Sequence, residues 1–424
     1  MRVSRNFVSI LTFSVFLTAA FETTVSAGRY KDFKVIKTKI LGVHESSVLS
    51  QLAFKSGLDF WSLPRNGKNA ILLCEPQQAE EIFKELTRLE LRPEILTEDV
   101  SREIAEERFK IDQINSAKLK VANWENFMTL DEINQYMDEV VANYSNIVSE
   151  LEIGTTTEGR ATRVLHISTG PGKPAIFING AIHAREWIGP PVAMYAINQL
   201  TEFYDQNSAI LNSVDFYIAP VVNPDGYVFS WEQDRFWRKT RSLNDLNCLG
   251  VDANRNFDWQ WAPDNDMCSL VYPGTAPASE PEIQGLQSFL QEHTEITFYV
   301  DLHSFGQSMI FPWASSNEQS PMYPELMRVG NEAANALRTV RGTNYTVHSV
   351  TNGGTNFLYG VSVDWAYGVL GIPLTYAIEL PGGGSGGFDI PPEEILPVAT
   401  ETWEALKVFA QNAQPTTTRL QWFK

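Results

Sequence analysis

Residues 175–187 read Ala-Ile-Phe-Ile-Asn-Gly-Ala-Ile-His-Ala-Arg-Glu-Trp, and the fold turns on them. The apolar run 175–179 ends in Gly180-Ala181, which predicts a buried strand delivering a loop at its C-terminal end. His183 and Glu186 stand three residues apart in that loop. Open α/β sheets hold ligands in the crevice outside those strand ends. A second run, Ile296 to Leu302, leads into His303, 120 positions beyond His183. Two strand ends can thus offer two imidazoles and a carboxylate to one metal. Three ligands leave the fourth tetrahedral position open, as in catalytic zinc sites, whereas structural zinc is closed by four, usually with cysteines. The chain has 3 cysteines, none near the pair. An isolated H-x-x-E arises often by chance, so the reading depends on what else the chain carries.

Downstream lie Arg235-Phe236-Trp237-Arg238-Lys239-Thr240-Arg241, then Val251-Asp252-Ala253-Asn254-Arg255-Asn256, then a near-alternating strand ending in an acid, Leu374-Thr375-Tyr376-Ala377-Ile378-Glu379-Leu380. With these motifs, in this order, the chain resembles the zinc metallocarboxypeptidases of the pancreatic carboxypeptidase A/B subfamily, from about Trp124 to about Ala410. The resemblance implies a mixed, mainly parallel sheet with helices on both faces, and Zn2+ held by His183, Glu186 and His303. It makes Glu379 the general base and acid, and Arg238 the cation that meets the charge of the tetrahedral intermediate. A guanidinium, always charged, suits that task. Asn254 and Arg255 match the clamp on a terminal carboxylate, which an arginine grips with two prongs. Asp252 matches an acid behind His183 that fixes its tautomer. Arg185 and Arg235 match contacts to a longer peptide, while Lys239 and Arg241 read as a basic, solvated turn. Asn223-Pro224-Asp225-Gly226-Tyr227 reads as a turn of structural use.

The motif Val363-Asp364-Trp365 implies the floor of the pocket for the last side chain. An acid at 363 would favour Lys or Arg ends, so Val363 points to apolar or aromatic ends, favoured by about 25 cal/mol per Å² of buried apolar surface. The family's mobile tyrosine falls on Asn356 by ungapped counting, and a short deletion would bring Tyr359 into the role instead. Phe305 replaces a tyrosine often found two positions after the third ligand. The run Gly382–Gly387 matches both G-x-G-x-x-G and G-x-S-x-G, but each pattern needs a helix directly after a strand, and Pro391-Pro392 intervene. A glycine loop beside the site is expected.

The 424 residues are 43% hydrophobic and carry a formal charge of −18, which suits two folded domains and disfavours nucleic acid and anionic membranes as partners. Arg2 and Arg5, an apolar core from Phe7 to Phe21 and Val25-Ser26-Ala27 read as a signal peptide over residues 1–27. Secretion to the extracellular space follows, with no membrane contact after its removal, and disulfides become permissible. Cys248 and Cys268 match a family disulfide, leaving Cys74 as a buried thiol in the pro-region. Asn143 and Asn344 open glycosylation sequons.

Residues 28–112 read as a small α+β open sandwich, the family's activation domain. Strands are expected at Phe33–Ile40, Leu58–Trp61 and Ala70–Cys74, with helices at Ser46–Lys55 and Pro76–Leu89. The second helix sets Ala79, Ile82, Phe83 and Leu86 on one face. A charged connecting helix, about Ser101–Ile111, holds Arg102, Arg108 and Lys110, with Lys118 and Lys120 just beyond. Activation by an endoprotease cutting after one of these basic residues is expected. The catalytic domain, 113–424, opens with a capping box at Thr129-Leu130-Asp131-Glu132 and closes with a helix near Glu394–Asn412 carrying Leu396, Trp403, Leu406 and Phe409. The expected product is a monomeric zymogen acting on peptide or protein C-termini. The competing reading, a non-catalytic secreted binding protein on the same fold, would be marked by a lost ligand or base, and all are retained.

Overall fold

The computed structural model describes residues 28–39, 42, 45, 48–49, 58–62, 69–116, 124–244, 248–351, 357–383 and 387–413. The expected signal peptide, most of the Ser46–Lys55 helix, Lys118, Lys120 and Asn356 lie outside them. The chain divides into two compact units, one of Met1–Ala117 with Phe229–Arg235, the other of Lys118–Val228 with Phe236–Lys424.

In the first unit, strands β1 (Lys34–Lys39), β2 (Asp59–Ser62), β3 (Asn69–Cys74) and β4 (Glu94–Thr97) form one sheet in the order β2-β3-β1-β4, antiparallel throughout. Helix α1 (Pro76–Arg88) buries Ala79, Ile82 and Leu86 against Ile36, Leu72 and Cys74, with Phe83 packed at the edge. Pro76 opens the helix, where its missing N–H costs nothing. Burial, then the charge of Asp59, pushes the free Cys74 thiol up to about 12, so it is protonated and inert at neutral pH. Strand β4 was not foreseen. Helix α2 (Val100–Ser116) runs five residues past the expected end and through the 112/113 boundary.

Nor is α2 solvated all round. Glu107 and Arg108 are buried in it. Glu107 grips Arg235 through both oxygens, at 2.6 Å to Nε and 3.0 Å to Nη2. Arg108 donates to the carbonyl oxygen of Trp231 at 2.5 Å and lies over its indole ring. Asp234 accepts from Tyr30 Oη at 2.5 Å and pairs with Arg29 at 3.2 Å.

The second unit holds an eight-stranded mixed sheet of β5 (Val148–Thr155), β6 (Ala161–Ile167), β7 (Ala175–Gly180), β8 (Asp215–Ala219), β9 (Ile296–Ser304), β10 (Ser308–Phe311), β11 (Thr346–Ser349) and β12 (Leu374–Leu380). The order is β11-β10-β12-β9-β7-β8-β6-β5. Its centre, β12-β9-β7-β8, is parallel. Every residue of β7 and β9 is buried, as strands covered on both faces require. The helices are α3 (Leu130–Asn143), α4 (Gly189–Thr201), α5 (Tyr204–Leu211), α6 (Pro224–Glu232, which from Phe229 on belongs to the first unit), α7 (Pro281–Glu292), α8 (Tyr323–Arg341), α9 (Ser362–Gly368) and α10 (Ile395–Asn412). Thr129 and Glu132 cap α3 reciprocally, as expected.

The stretch Asn223–Tyr227 is a helix start rather than a free turn. Asn223 Oδ1 accepts from Gly226 N at 3.0 Å, an N-cap, and Pro224 supplies the first helical residue. Lys239 is buried, not solvated, with Nζ on the carbonyl oxygen of Ser269 at 3.1 Å. Leu396 is exposed while Trp403, Leu406 and Phe409 are buried. The Cys248–Cys268 bridge is formed, with Cα atoms 5.1 Å apart.

Candidate metal centre

Strand β7 ends at Gly180, and Ala181 turns the chain at a φ of 51°. That left-handed conformation costs an alanine roughly 1–2 kcal/mol. The loop is then pinned in short order. Glu186 N bonds His183 O at 3.2 Å, and Gly189 N bonds Glu186 O at 3.2 Å, where α4 begins. His183 and Glu186 are thereby fixed above the strand end. His303 differs slightly from expectation: it is the penultimate residue of β9, not a residue beyond it.

The three side chains converge, all buried, with one ligand atom from each lying within 4.8 Å of the others. His183 Nδ1 is 2.8 Å from Glu186 Oε1, His303 Nδ1 is 3.1 Å from Glu186 Oε2, and the two Nδ1 atoms are 3.2 Å apart. Tetrahedral zinc ligands at about 2.0–2.1 Å from the ion sit roughly 3.3 Å from one another. Two imidazole lone pairs and a carboxylate facing one point suit a cation better than any set of mutual hydrogen bonds. The residues therefore fit zinc.

Each histidine is backed by an acid at its other nitrogen. His183 Nε2 is 3.2 Å from Asp252 Oδ1, and His303 Nε2 is 3.0 Å from Asp301 Oδ2. Such partners hold the tautomer in which Nδ1 is free to ligate. Burial alone would raise the Asp252 carboxyl, but Arg238, Arg255 and His183 outweigh it and hold it well below the usual range. Burial likewise opposes charge on Glu186, and His183 and His303 overcome it. Both acids are thus anionic at neutral pH. Ser304 N adds a donor to Glu186 Oε2 at 3.1 Å.

Arg238 reaches Asp252 Oδ2 through Nε at 3.1 Å and Nη2 at 2.9 Å, with Nη1 4.0 Å from Glu186 Oε1. It is placed beside Glu186 of the candidate metal cluster, with its fork partly held by Asp252. Asn254 and Arg255 lie on the one-turn segment Ala253–Arg255, next to Asp252. Asp252 Oδ1 accepts from Asn254 N at 3.0 Å. Gly360, at a φ of 63°, carries this segment on its backbone: Phe257 N donates to Gly360 O at 3.0 Å, and a Cβ there would stand 2.2 Å from Arg255 O.

Glu379 is aligned with His303 across the parallel pair β12–β9. Aligned residues of neighbouring strands project from the same face, about 4.8 Å apart along the hydrogen-bonding direction. The acid therefore stands beside the third ligand. Val363 is buried at the head of α9 and belongs to the main apolar core of the second unit. Arg185 is buried over the Phe388 ring at 4.4 Å, and Phe388 meets Phe305 edge-on at 5.2 Å. Arg235 belongs to the first unit, on Glu107. Tyr359 is 39% exposed in the stretch before α9. The glycine run matches neither nucleotide nor nucleophile motif in context: Gly383 and Gly387 pair with each other, and the next helical turn starts only at Pro392.

Asp301 was missed by sequence reasoning, as were Asn179 and Ser362 around it. A signal existed for Asp301, since residues two apart on a strand share a face. Ser362 and Asn179 are brought in by other elements and left no mark.

Comparison with known proteins agrees with this geometry. A family model described as zinc carboxypeptidase matches residues 133–405, and one described as carboxypeptidase activation peptide matches residues 43–107. Carboxypeptidase A2 of Rattus norvegicus is 35% identical over 395 residues, 89% of this chain and 93% of that protein. Carboxypeptidase B of Helicoverpa zea is 33% identical over 391 residues, 87% of this chain and 91% of that protein. Among solved structures, carboxypeptidase A from Helicoverpa armigera superposes with a TM-score of 0.85 at 27% identity, covering 91% of this chain and 98% of that one. Thrombin activatable fibrinolysis inhibitor gives 0.81 at 28% identity, covering 91% and 99%.

Proposed function

The chain belongs to the zinc carboxypeptidase family and carries an activation peptide ahead of the catalytic region; from that premise we propose that it is secreted as a monomeric zymogen and, once cut, removes apolar or aromatic residues from peptide C-termini. It is a metallocarboxypeptidase with zinc as cofactor. We assign His183, Glu186 and His303 as the ligands. The observation that carries the assignment is their convergence, each imidazole backed by a carboxylate and Glu379 in register beside them.

Zinc, when bound, polarises the scissile carbonyl and lowers the pKa of a bound water to about 7. Glu379 takes the proton of the attacking water and returns it to the leaving nitrogen. Arg238 faces the negative charge that develops on the former carbonyl oxygen. Asp252 orients that guanidinium and His183 together. Asn254 and Arg255 receive the free carboxylate, and Val363 closes the far end of the side-chain pocket. Arg185 supports the chain upstream, and Tyr359 is assigned to the rim that covers the bound end.

Helix α2 locks Arg102, Arg108 and Lys110 in regular structure, and Arg108 is buried. Proteases prefer exposed, non-helical chain. We therefore assign the activating cut to Lys118 or Lys120. Sequencing the mature N-terminus should give a start at 119 or 121, and a start at 103, 109 or 111 refutes this. The activity test uses protease-treated protein with and without a zinc chelator, on peptides ending in Phe, Leu or Lys. Loss with chelator and preference for Phe or Leu are expected. Equal cleavage of a C-terminally amidated peptide, or preference for Lys, refutes the substrate assignment.

A further inference from the structure

A run of hydrogen bonds joins one metal ligand to the head of the helix that carries Val363. Asp301, fully buried, lies two residues before His303 on β9. Its Oδ2 lies 3.0 Å from His303 Nε2 and accepts from Ser362 Oγ at 2.5 Å, and its Oδ1 accepts from Asn179 Nδ2 at 2.7 Å. Ser362 is the first residue of α9, and its backbone N–H donates to Asn254 Oδ1 at 2.8 Å. Asn254 Nδ2 also lies 3.2 Å from His303 Nε2. With Nδ1 turned to the metal, Nε2 carries the ring proton, so these are two donors in contact rather than a hydrogen bond. Asp301 is then the acceptor that fixes the His303 ring.

A carboxylate's terminal torsion is broad and does not choose its own plane. Donors on both oxygens choose it here. Asn179 holds Oδ1, and Ser362 holds the oxygen that His303 needs. Remove the serine hydroxyl and the carboxylate is anchored on one side only. We propose that Ser362 is a positioning residue for the metal ligand His303, acting through Asp301, so that the start of the specificity helix and the grip on zinc are one mechanical unit. Ser362 touches no ligand atom, and its backbone link to Asn254 survives truncation to alanine.

The test is the zinc dissociation constant of the full precursor, measured by competition with a chelating indicator, for wild type, Ser362→Ala, Asp301→Asn and the double variant. Asp301→Asn should bind zinc about 10–100-fold more weakly, the usual cost of losing such a partner. Ser362→Ala should bind about tenfold more weakly, as for the loss of one hydrogen bond to a charged group. The double variant should be no weaker than Asp301→Asn, because both act through one contact. Melting of the metal-free proteins checks the fold, and Ser362→Ala carries the test alone if Asp301→Asn fails to fold. A Ser362→Ala value within twofold of wild type overturns the proposal, as does strict multiplication of the two single effects. The proposal rests on His303 as a zinc ligand, which His303→Ala reads separately: zinc retained in that variant sinks the ligand assignment, whereas zinc lost there but unaffected by Ser362→Ala sinks only the link through Asp301.

Discussion

Replacing Glu282 by glutamine should stabilise the protein above pH 8 and do almost nothing near pH 4.5. Glu282 is the second residue of α7, and only 4% of it is exposed. Its Oε2 has no hydrogen-bond partner among the described residues, and Oε1 accepts from Thr157 N at a long 3.5 Å, with its own backbone N–H as a further donor to the carboxylate. Its acidic neighbours are better supplied. Asp225 takes Thr156 Oγ1 at 2.7 Å, Glu158 N at 2.7 Å and Arg160 at 2.8 Å, while Glu280 takes Thr240 Oγ1 at 2.6 Å. Burial, then the charges of Glu280 and Asp225, pushes the Glu282 carboxyl from 4.5 up to about 7. Because the folded value lies above the unfolded one, the fold favours the protonated acid. The contribution is fully favourable below pH 4.5 and is lost as pH rises through 7. The interval, 7 − 4.5 = 2.5 units at 1.36 kcal/mol each, amounts to about 3 kcal/mol. A carboxylate in the first turn of a helix recovers about 0.3–1 kcal/mol, which leaves about 2–3 kcal/mol. Urea unfolding of both proteins at pH 4.5 and 8.5, following the transition of the second unit, reads the difference directly. Equal stability at pH 8.5, or the same gain at both pH values, would refute the reasoning.

Three further outcomes follow from other contacts. Glu379→Gln should lower kcat by about 10²–10⁴ while leaving zinc content unchanged, and steady-state kinetics beside metal analysis would check both. Gly360→Ala places a Cβ 2.2 Å from Arg255 O at a φ of 63°, so it should raise KM for free-acid peptides more than it lowers kcat, and should lower the melting temperature as well. Glu107→Ala leaves the Arg235 guanidinium, whose side chain is 0% exposed, without its carboxylate. It should destabilise the first unit by about 3–5 kcal/mol in urea unfolding, with Glu107→Gln costing less.

The centre of the sheet was legible because burial on both faces leaves a plain signature, an unbroken apolar run. Residues 175–179 and 296–302 carry it in large part and became β7 and β9, while 374–380 was read from its near-alternation and became β12. The activation unit was read less completely. Strand β4 has four residues at a sheet edge, too few to show a period, and α2 outran its expected end because nothing in Asp112–Ser116 marks a stop. Asn223-Pro224-Asp225-Gly226 satisfies turn chemistry and N-cap chemistry equally well, so local sequence could not choose between them. Arg235 was read as a peptide contact, and its burial went unseen because the acid that grips it, Glu107, is 128 residues away.

The same limit divides the site itself. Ligand identity is local, and His183 with Glu186 could be read from one loop. What makes those ligands work is not local. Glu379 stands beside His303 only because β12 pairs with β9 in one register, and a one-residue slip would turn it to the opposite face. Asp301 was readable from strand period, yet its meaning depends on Ser362 and Asn179, which arrive from other elements. A sequence motif therefore names the candidate ligands, while the partners packed against them are chosen by the pairing of strands and the seating of α9. Mutations in the second group leave every motif intact, which is why a search by motif passes over Ser362 and a measurement of zinc affinity should not.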